Sequence, residues 1–197
     1  MISKNGHSRL RKWGANQSGA TALEFAIVVP VFLMLTLAAI DLALLSYRLN
    51  QAQAAARIGA RIAIVSPIIA TSMAEFDTSG YAPGTSIPVA DIPAQVCGGR
   101  SDGAFECSSG PADTTTANLV LDRVRQVLPD ADASNLQIAY TYTGLGAVGN
   151  PIGMDFEPLT TVGIVSLKYV PLSSRLFGSP TVNLPIRTVT LTGEDLS

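Results

Sequence analysis

The sequence predicts an α+β protein: a long N-terminal, partly transmembrane α-helix followed by a small antiparallel-sheet head with one or two helices. Three observations predict it. Ala22–Leu45 is a membrane-length apolar run interrupted by Glu24, Thr36 and Asp41 as its only polar residues. Tyr47–Val65 continues the run in good helix formers, with small residues on one stripe. Beyond Pro67 the chain turns to β-branched, alternating segments set between glycines and prolines, the pattern of short strands and turns.

The composition bounds what these elements can do. The chain has 197 residues, enough for one domain with an appended segment. Hydrophobic residues make up 47% and charged residues only 14%, so a membrane segment is to be sought first. The mean hydropathy of +0.33 points the same way. A formal net charge of −2 argues against a nucleic-acid partner. The charge is unevenly spread. Lys4, Arg9, Arg11 and Lys12 lie in residues 1–19 with no acid among them, which leaves nine cations against fifteen acids beyond, a formal −6.

Residues 1–19 form a basic leader, residues 20–66 one long helix, and residues 67–197 a head containing an irregular loop at 77–113. The span at about 22–45 would be roughly 36 Å long as a helix, enough to cross a bilayer core. All four leader cations precede it, and Arg48 is the next one. The positive-inside rule therefore places the N-terminus in the cytoplasm and the head outside. Ala52, Ala55, Ala56, Gly59, Ala60 and Ala63 recur at helical spacing, which lets a neighbouring element approach closely. Pro67 ends the helix, and Pro30 within it removes one backbone hydrogen bond. Asp41 is expected at the outer interface, where water can reach it.

In the head, residues 77–113 are dense in Gly and Pro and read as irregular. Thr114–Thr116 is placed to cap a helix reaching about Leu128, with Leu119, Val120, Val124, Val127 and Leu128 on one face. Leu136–Thr143, Thr161–Val170 and Val182–Leu191 read as strands, three or four in all, with a glycine-rich turn at 144–153. Cys97 and Cys107 lie outside the membrane on this topology, where an oxidising compartment would permit a disulfide across a short loop.

The sequence offers no catalytic constellation. The only histidine, His7, lies in the leader, so nothing beyond residue 19 can supply Ser-His-Asp or Cys-His chemistry. Two cysteines cannot form a Cys-only zinc site. Asp130-Ala131-Asp132-Ala133-Ser134 faintly resembles a calcium loop, but Asn135 and Thr141 stand where the turn glycine and terminal Glu belong, so a polar turn is the better reading. No catalytic residue, metal or cofactor is expected, and the protein is read as not an enzyme.

The most informative stretch is the junction Ser18-Gly19-Ala20-Thr21-Ala22-Leu23-Glu24-Phe25. It resembles a type IV prepilin processing site in the short form of the Tad/Flp system. The wider segment of roughly 17–65 resembles TadE/TadG-like pseudopilins through the Gly–Glu spacing, Pro30 within the span and the Ala/Arg/Gly stretch Ala54–Ala63. The resemblance implies a type IV pilin-like fold and cleavage between Gly19 and Ala20 by a prepilin peptidase. It implies that Glu24, Phe25 and Pro30 serve recognition and assembly. The implied partners are that peptidase, other pilin and minor pilin subunits, the inner-membrane pilus assembly platform and membrane lipid. The implied location is the bacterial inner membrane, single-pass with the head in the periplasm, and then an extracellular pilus with links to secretion and cell adhesion. A carboxylate at membrane depth costs about 2.5–3.5 kcal/mol, so Glu24 calls for a partner, which a new amine at Ala20 of an adjacent subunit would supply. The alternative is an envelope binding or scaffold module that keeps its membrane anchor.

Overall fold

The computed structural model describes residues 18–150, 154–178 and 181–192. The leader up to Gln17 and the end of the glycine-rich turn at 151–153 lie outside the described residues. Four helices are present among them: α1 (Ser18–Val65), α2 (Thr71–Ala74), α3 (Thr114–Arg125) and α4 (Leu172–Phe177). The strands are β1 (Gln95–Gly99), β2 (Phe105–Cys107), β3 (Gly110–Pro111), β4 (Leu136–Tyr142), β5 (Pro158–Ile164), β6 (Lys168–Tyr169), β7 (Val182–Asn183) and β8 (Arg187–Leu191). The architecture is α+β, with a long apolar N-terminal helix followed by an antiparallel sheet and short helices.

The chain divides into two compact units. One is Met1–Leu44 with Pro171–Ser179, and the other is Leu45–Val170 with Pro180–Ser197. The first holds the apolar part of α1, whose side chains are almost all exposed, and α4. The second is a packed head that begins within α1. A six-stranded antiparallel sheet runs β3-β2-β1-β4-β5-β8, beside a separate β6–β7 ladder. Ala52, Ala55, Ala56, Ala60 and Ala63 of α1 are buried in its core, with Val120 and Val124 of α3 and Ile138, Tyr140 and Val162 of the sheet.

Gly59 shows how close the packing is. A methyl group added there would lie 3.0 Å from Val124 Cγ2 and 3.1 Å from Val162 Cγ1. The stripe of small residues is thus the seam along which α1 meets both α3 and β5.

The head departs from the sequence reading, with eight strands among the described residues where three or four were expected and with α2 and α4 unforeseen. Residues 77–113 are not wholly irregular, since β1, β2 and β3 fall there and supply half of the large sheet. Strand Thr161–Val170 is really two, β5 and β6, with Ser166 at φ 55° between them. The last strand is also two, β7 and β8, separated by a stretch holding Pro185, which has no N–H for a ladder. In α3 the cap is Asp113, whose carboxylate accepts from Thr115 N at 2.9 Å and Thr116 Oγ1 at 2.6 Å. Its buried face uses Ala117 and Leu121, while Leu119 points to solvent, and the helix stops at Arg125.

Cys97 and Cys107 are joined by a disulfide and lie directly opposite one another in the β1–β2 pair. The bridge locks the register of a hairpin that is otherwise short. Replacing both cysteines with serine is expected to lower stability by roughly 2–3 kcal/mol, the loop-closure value for such a ring. Urea unfolding of detergent-solubilised protein, oxidised against the double variant, checks this; an unchanged midpoint would contradict it.

Tyr140, on β4, is 1% exposed, and its Oη accepts the Ile69 backbone N–H at 3.2 Å. Burial pushes its hydroxyl up to about 12, from an ordinary 10.0. The neutral form is therefore favoured by folding. Stability tied to it is complete below pH 10 and is lost between pH 10 and 12, at up to about 1.4 kcal/mol per pH unit. The unfolding midpoint is expected to fall steeply across that window in the native protein. The slope should be shallower in Tyr140→Phe, which starts lower because Ile69 N–H loses its acceptor.

Candidate functional site

The residues singled out by the sequence lie on the first turns of α1. Gly19, Ala20, Glu24, Phe25 and Pro30 are all helical and all exposed. Ala20 and Glu24 are four residues apart, so they stand one turn from each other on the same face. Cys97 and Cys107 belong to the other unit and take no part in this site.

Gly19 has no packing reason to be glycine. A side chain built there meets nothing within 4 Å, and its φ is not in the left-handed range. Glycine inside a helix costs about 0.5–1 kcal/mol relative to alanine. Gly59, on the same helix, is held small by the valines of α3 and β5. The two helix glycines therefore differ: one is required by this chain's own fold and the other is not.

The polar residues of the span separate in the same way. The Thr36 hydroxyl donates to Leu33 O at 2.8 Å, one turn back. The Asp41 carboxylate accepts from Leu172 N at 2.7 Å and Ser173 N at 3.1 Å, the first two amides of α4. The sequence reading placed Asp41 at the outer interface and did not identify this partner. The available signal was the pair Pro171 and Gly178 flanking a six-residue segment, which is helix punctuation on a short scale. Glu24 differs from both. Among the described residues, nothing bonds its carboxylate.

Elsewhere the chain offers little chemistry. Among the described residues no group of His, Cys, Asp and Glu could hold a metal ion. The acidic turn after α3 is satisfied internally. Asp130 pairs with Arg48 at 3.0 Å, and Asp132 and Asn135 cap each other's backbone in a capping box. These groups line a cleft of about 480 Å³ that also holds Lys168 and Tyr169. Asp155 ties down the glycine-rich turn, accepting from Thr78 Oγ1 and from Gly149 N and Asn150 N. The Thr78 hydroxyl, foremost among these donors, holds its carboxyl below the usual range.

One helix among the described residues is long and apolar enough to cross a membrane. A helix left uncovered in its first half and built into an α+β head in its second defines a class of proteins with a single membrane-length N-terminal helix. A family model described as TadE-like protein matches residues 19–61. The match begins at Gly19 and covers the apolar span and most of the small-residue stripe, about a fifth of the chain. It supports a Tad pilus-associated protein anchored in a membrane. No curated protein and no solved structure matches the chain.

Proposed function

We propose that the chain is a minor pilin, or pseudopilin, for assembly of a Tad/Flp pilus. It is inserted in the inner membrane with its N-terminus in the cytoplasm and its head in the periplasm. Prepilin peptidase removes residues 1–19, and the mature helix then packs with other pilin subunits through the assembly platform and into the fibre. The protein is a substrate of an enzyme and not a catalyst.

The observation that carries this reading is Glu24. Of the three polar residues in the apolar run, Thr36 and Asp41 find partners among the described residues and Glu24 does not. A carboxylate in that position favours bundling with a helix that brings a cation. Cleavage after Gly19 makes one, the amine of Ala20, at one turn from Glu24. Within a bundle, the amine of one subunit and the carboxylate of the next neutralise each other and set the axial register. The spare glycine at 19 supports the same reading, because its small size serves an external active site when no internal contact needs it.

The test is the mature N-terminus. The chain expressed with a prepilin peptidase should yield a polypeptide starting at Ala20, and without it one that retains the leader, by intact mass and N-terminal sequencing. Cleavage near Ala38, or an intact leader in both strains, would refute the processing step. An uncleaved, functional chain would instead be a permanently anchored scaffold of the envelope.

A further inference from the structure

α4 is an unusual element for its length. Six residues do not hold a helix in water, yet both of its ends are specified. At its start Pro171 offers no side-chain cap, and Asp41 supplies one from more than a hundred residues away, bonding two amides at once. At its end Gly178 adopts φ 69°, and its N–H closes on Ser174 O at 2.8 Å. The Ser174 hydroxyl also returns to Pro171 O at 2.6 Å. The helix is therefore a placed element.

Its place is set by Asp41, the last polar residue of the apolar run. Asp41 precedes Leu45, the end of that run, by four residues, or about 6 Å along the helix. Helices that lie flat at a membrane surface sit about 5–10 Å into the boundary between headgroups and acyl chains. The sequence of α4, LSSRLF, joins three apolar residues to two serines and one Arg, and Leu172 is 43% exposed. That composition suits a layer that is half apolar and, with anionic lipid, negatively charged. The capping bond fits the same layer. A carboxylate and two free helix amides are each costly where water is scarce, and each satisfies the other.

We propose that α4 is a membrane-surface anchor, pinned by Asp41 so that it rests in the outer headgroup layer of the bilayer beside the span. This rests on the membrane residence of α1 proposed above and adds a second, peripheral contact with lipid. The contact fixes how deeply the span sits, and it must be surrendered when the subunit leaves the membrane.

Tryptophan quenching in vesicles tests it on the full chain. Trp13→Phe removes the native tryptophan. Single probes are then placed by Leu172→Trp in α4, Phe32→Trp in the span and Leu119→Trp on the exposed side of α3. The vesicles are phosphatidylethanolamine with phosphatidylglycerol, brominated on the acyl chain near the headgroup. Emission from the Leu172 and Phe32 probes should fall at least twofold with brominated lipid and resist aqueous iodide. The Leu119 probe should show the reverse. Adding Asp41→Ala should move the Leu172 probe from lipid quenching to iodide quenching and leave the Phe32 probe unchanged. A Leu172 probe quenched by iodide, or shielded from both agents as under another protein surface, overturns the anchor while a lipid-quenched Phe32 probe keeps the span in the membrane. If the Phe32 probe escapes lipid as well, the membrane reading fails and the anchor with it. An unaltered Leu172 probe in Asp41→Ala overturns the role given to Asp41. Phe177→Trp replaces Leu172→Trp if the latter fails to fold.

Discussion

Gly19→Val is expected to abolish processing, and Glu24→Ala is expected to leave processing intact while blocking assembly. The two substitutions lie five residues apart on one exposed stretch of helix, so any general disturbance of α1 should affect both alike. A Cβ added at 19 meets nothing within 4 Å among the described residues. A failure to cleave is therefore not explained by a Cβ clash with the described residues, and falls on the fit between the scissile residue and the peptidase. Alanine at 24 removes a carboxylate that has no partner among the described residues. The isolated subunit should gain in membrane stability, since a charged group at the edge of the apolar layer is costly. The expected readouts are a full-length band for Gly19→Val and a mature band for Glu24→Ala, with the mature subunit absent from sheared pilus fractions. Glu24→Gln separates charge from hydrogen bonding. If a salt bridge to the Ala20 amine sets the register, Gln should fail as Ala does. Cleaved and assembled Glu24→Ala would refute the pairing.

The second large effect lies in the head. Gly99→Ala is expected to destabilise by about 3 kcal/mol, at the upper end for overpacking, because the obstacle is backbone. A Cβ at 99 would sit 2.1 Å from Ala133 O and 2.4 Å from Ala133 C. Ala133 belongs to the short 3₁₀ turn Ala133–Asn135, which the capping box and a bond from Asn135 Nδ2 to Val165 O hold in place. Neither side can retreat without loosening β1 from its neighbours. A Cβ added at Gly98, one residue earlier, would meet nothing within 4 Å. Gly98→Ala is therefore expected to be neutral or stabilising by up to about 0.5 kcal/mol. Adjacent glycines with effects of opposite sign, read from urea midpoints, would be a direct check on β1 as a strand; equal effects would contradict the packing against Ala133.

That pair also explains what the sequence concealed. The long helix was legible because its signals agree over many residues: an apolar run, an alanine stripe at helical spacing, and Pro67 just past the end. β4 was legible as an alternating segment, and its observed range differs from the reading by one residue. β1 was not, because the residues that make it possible are ones that usually mark a loop. Gly99 is glycine to let a backbone pass, and Cys97 is joined to Cys107 across the hairpin; neither fact appears before the neighbours are known. α4 escaped for a related reason. Its N-terminal cap comes from Asp41, and no local pattern announces a partner so distant in sequence. At the candidate site the sequence pointed to residues of α1, but which polar groups of the span were already satisfied was not legible.

The seam between α1 and the head has a consequence for how such proteins can vary. The TadE-like match ends at Arg61, yet the fold has no joint there, because Ala52, Ala55, Ala56, Ala60 and Ala63 are core residues of the head itself. The helix is thus not an interchangeable stalk onto which any head can be grafted. A replacement head must bring its own floor for alanine and glycine, a shallow surface like that of Val120, Val124 and Val162, or the graft leaves a cavity along the helix. Any fragment meant to fold without the span must likewise start before Ala52, or it discards one wall of its own interior.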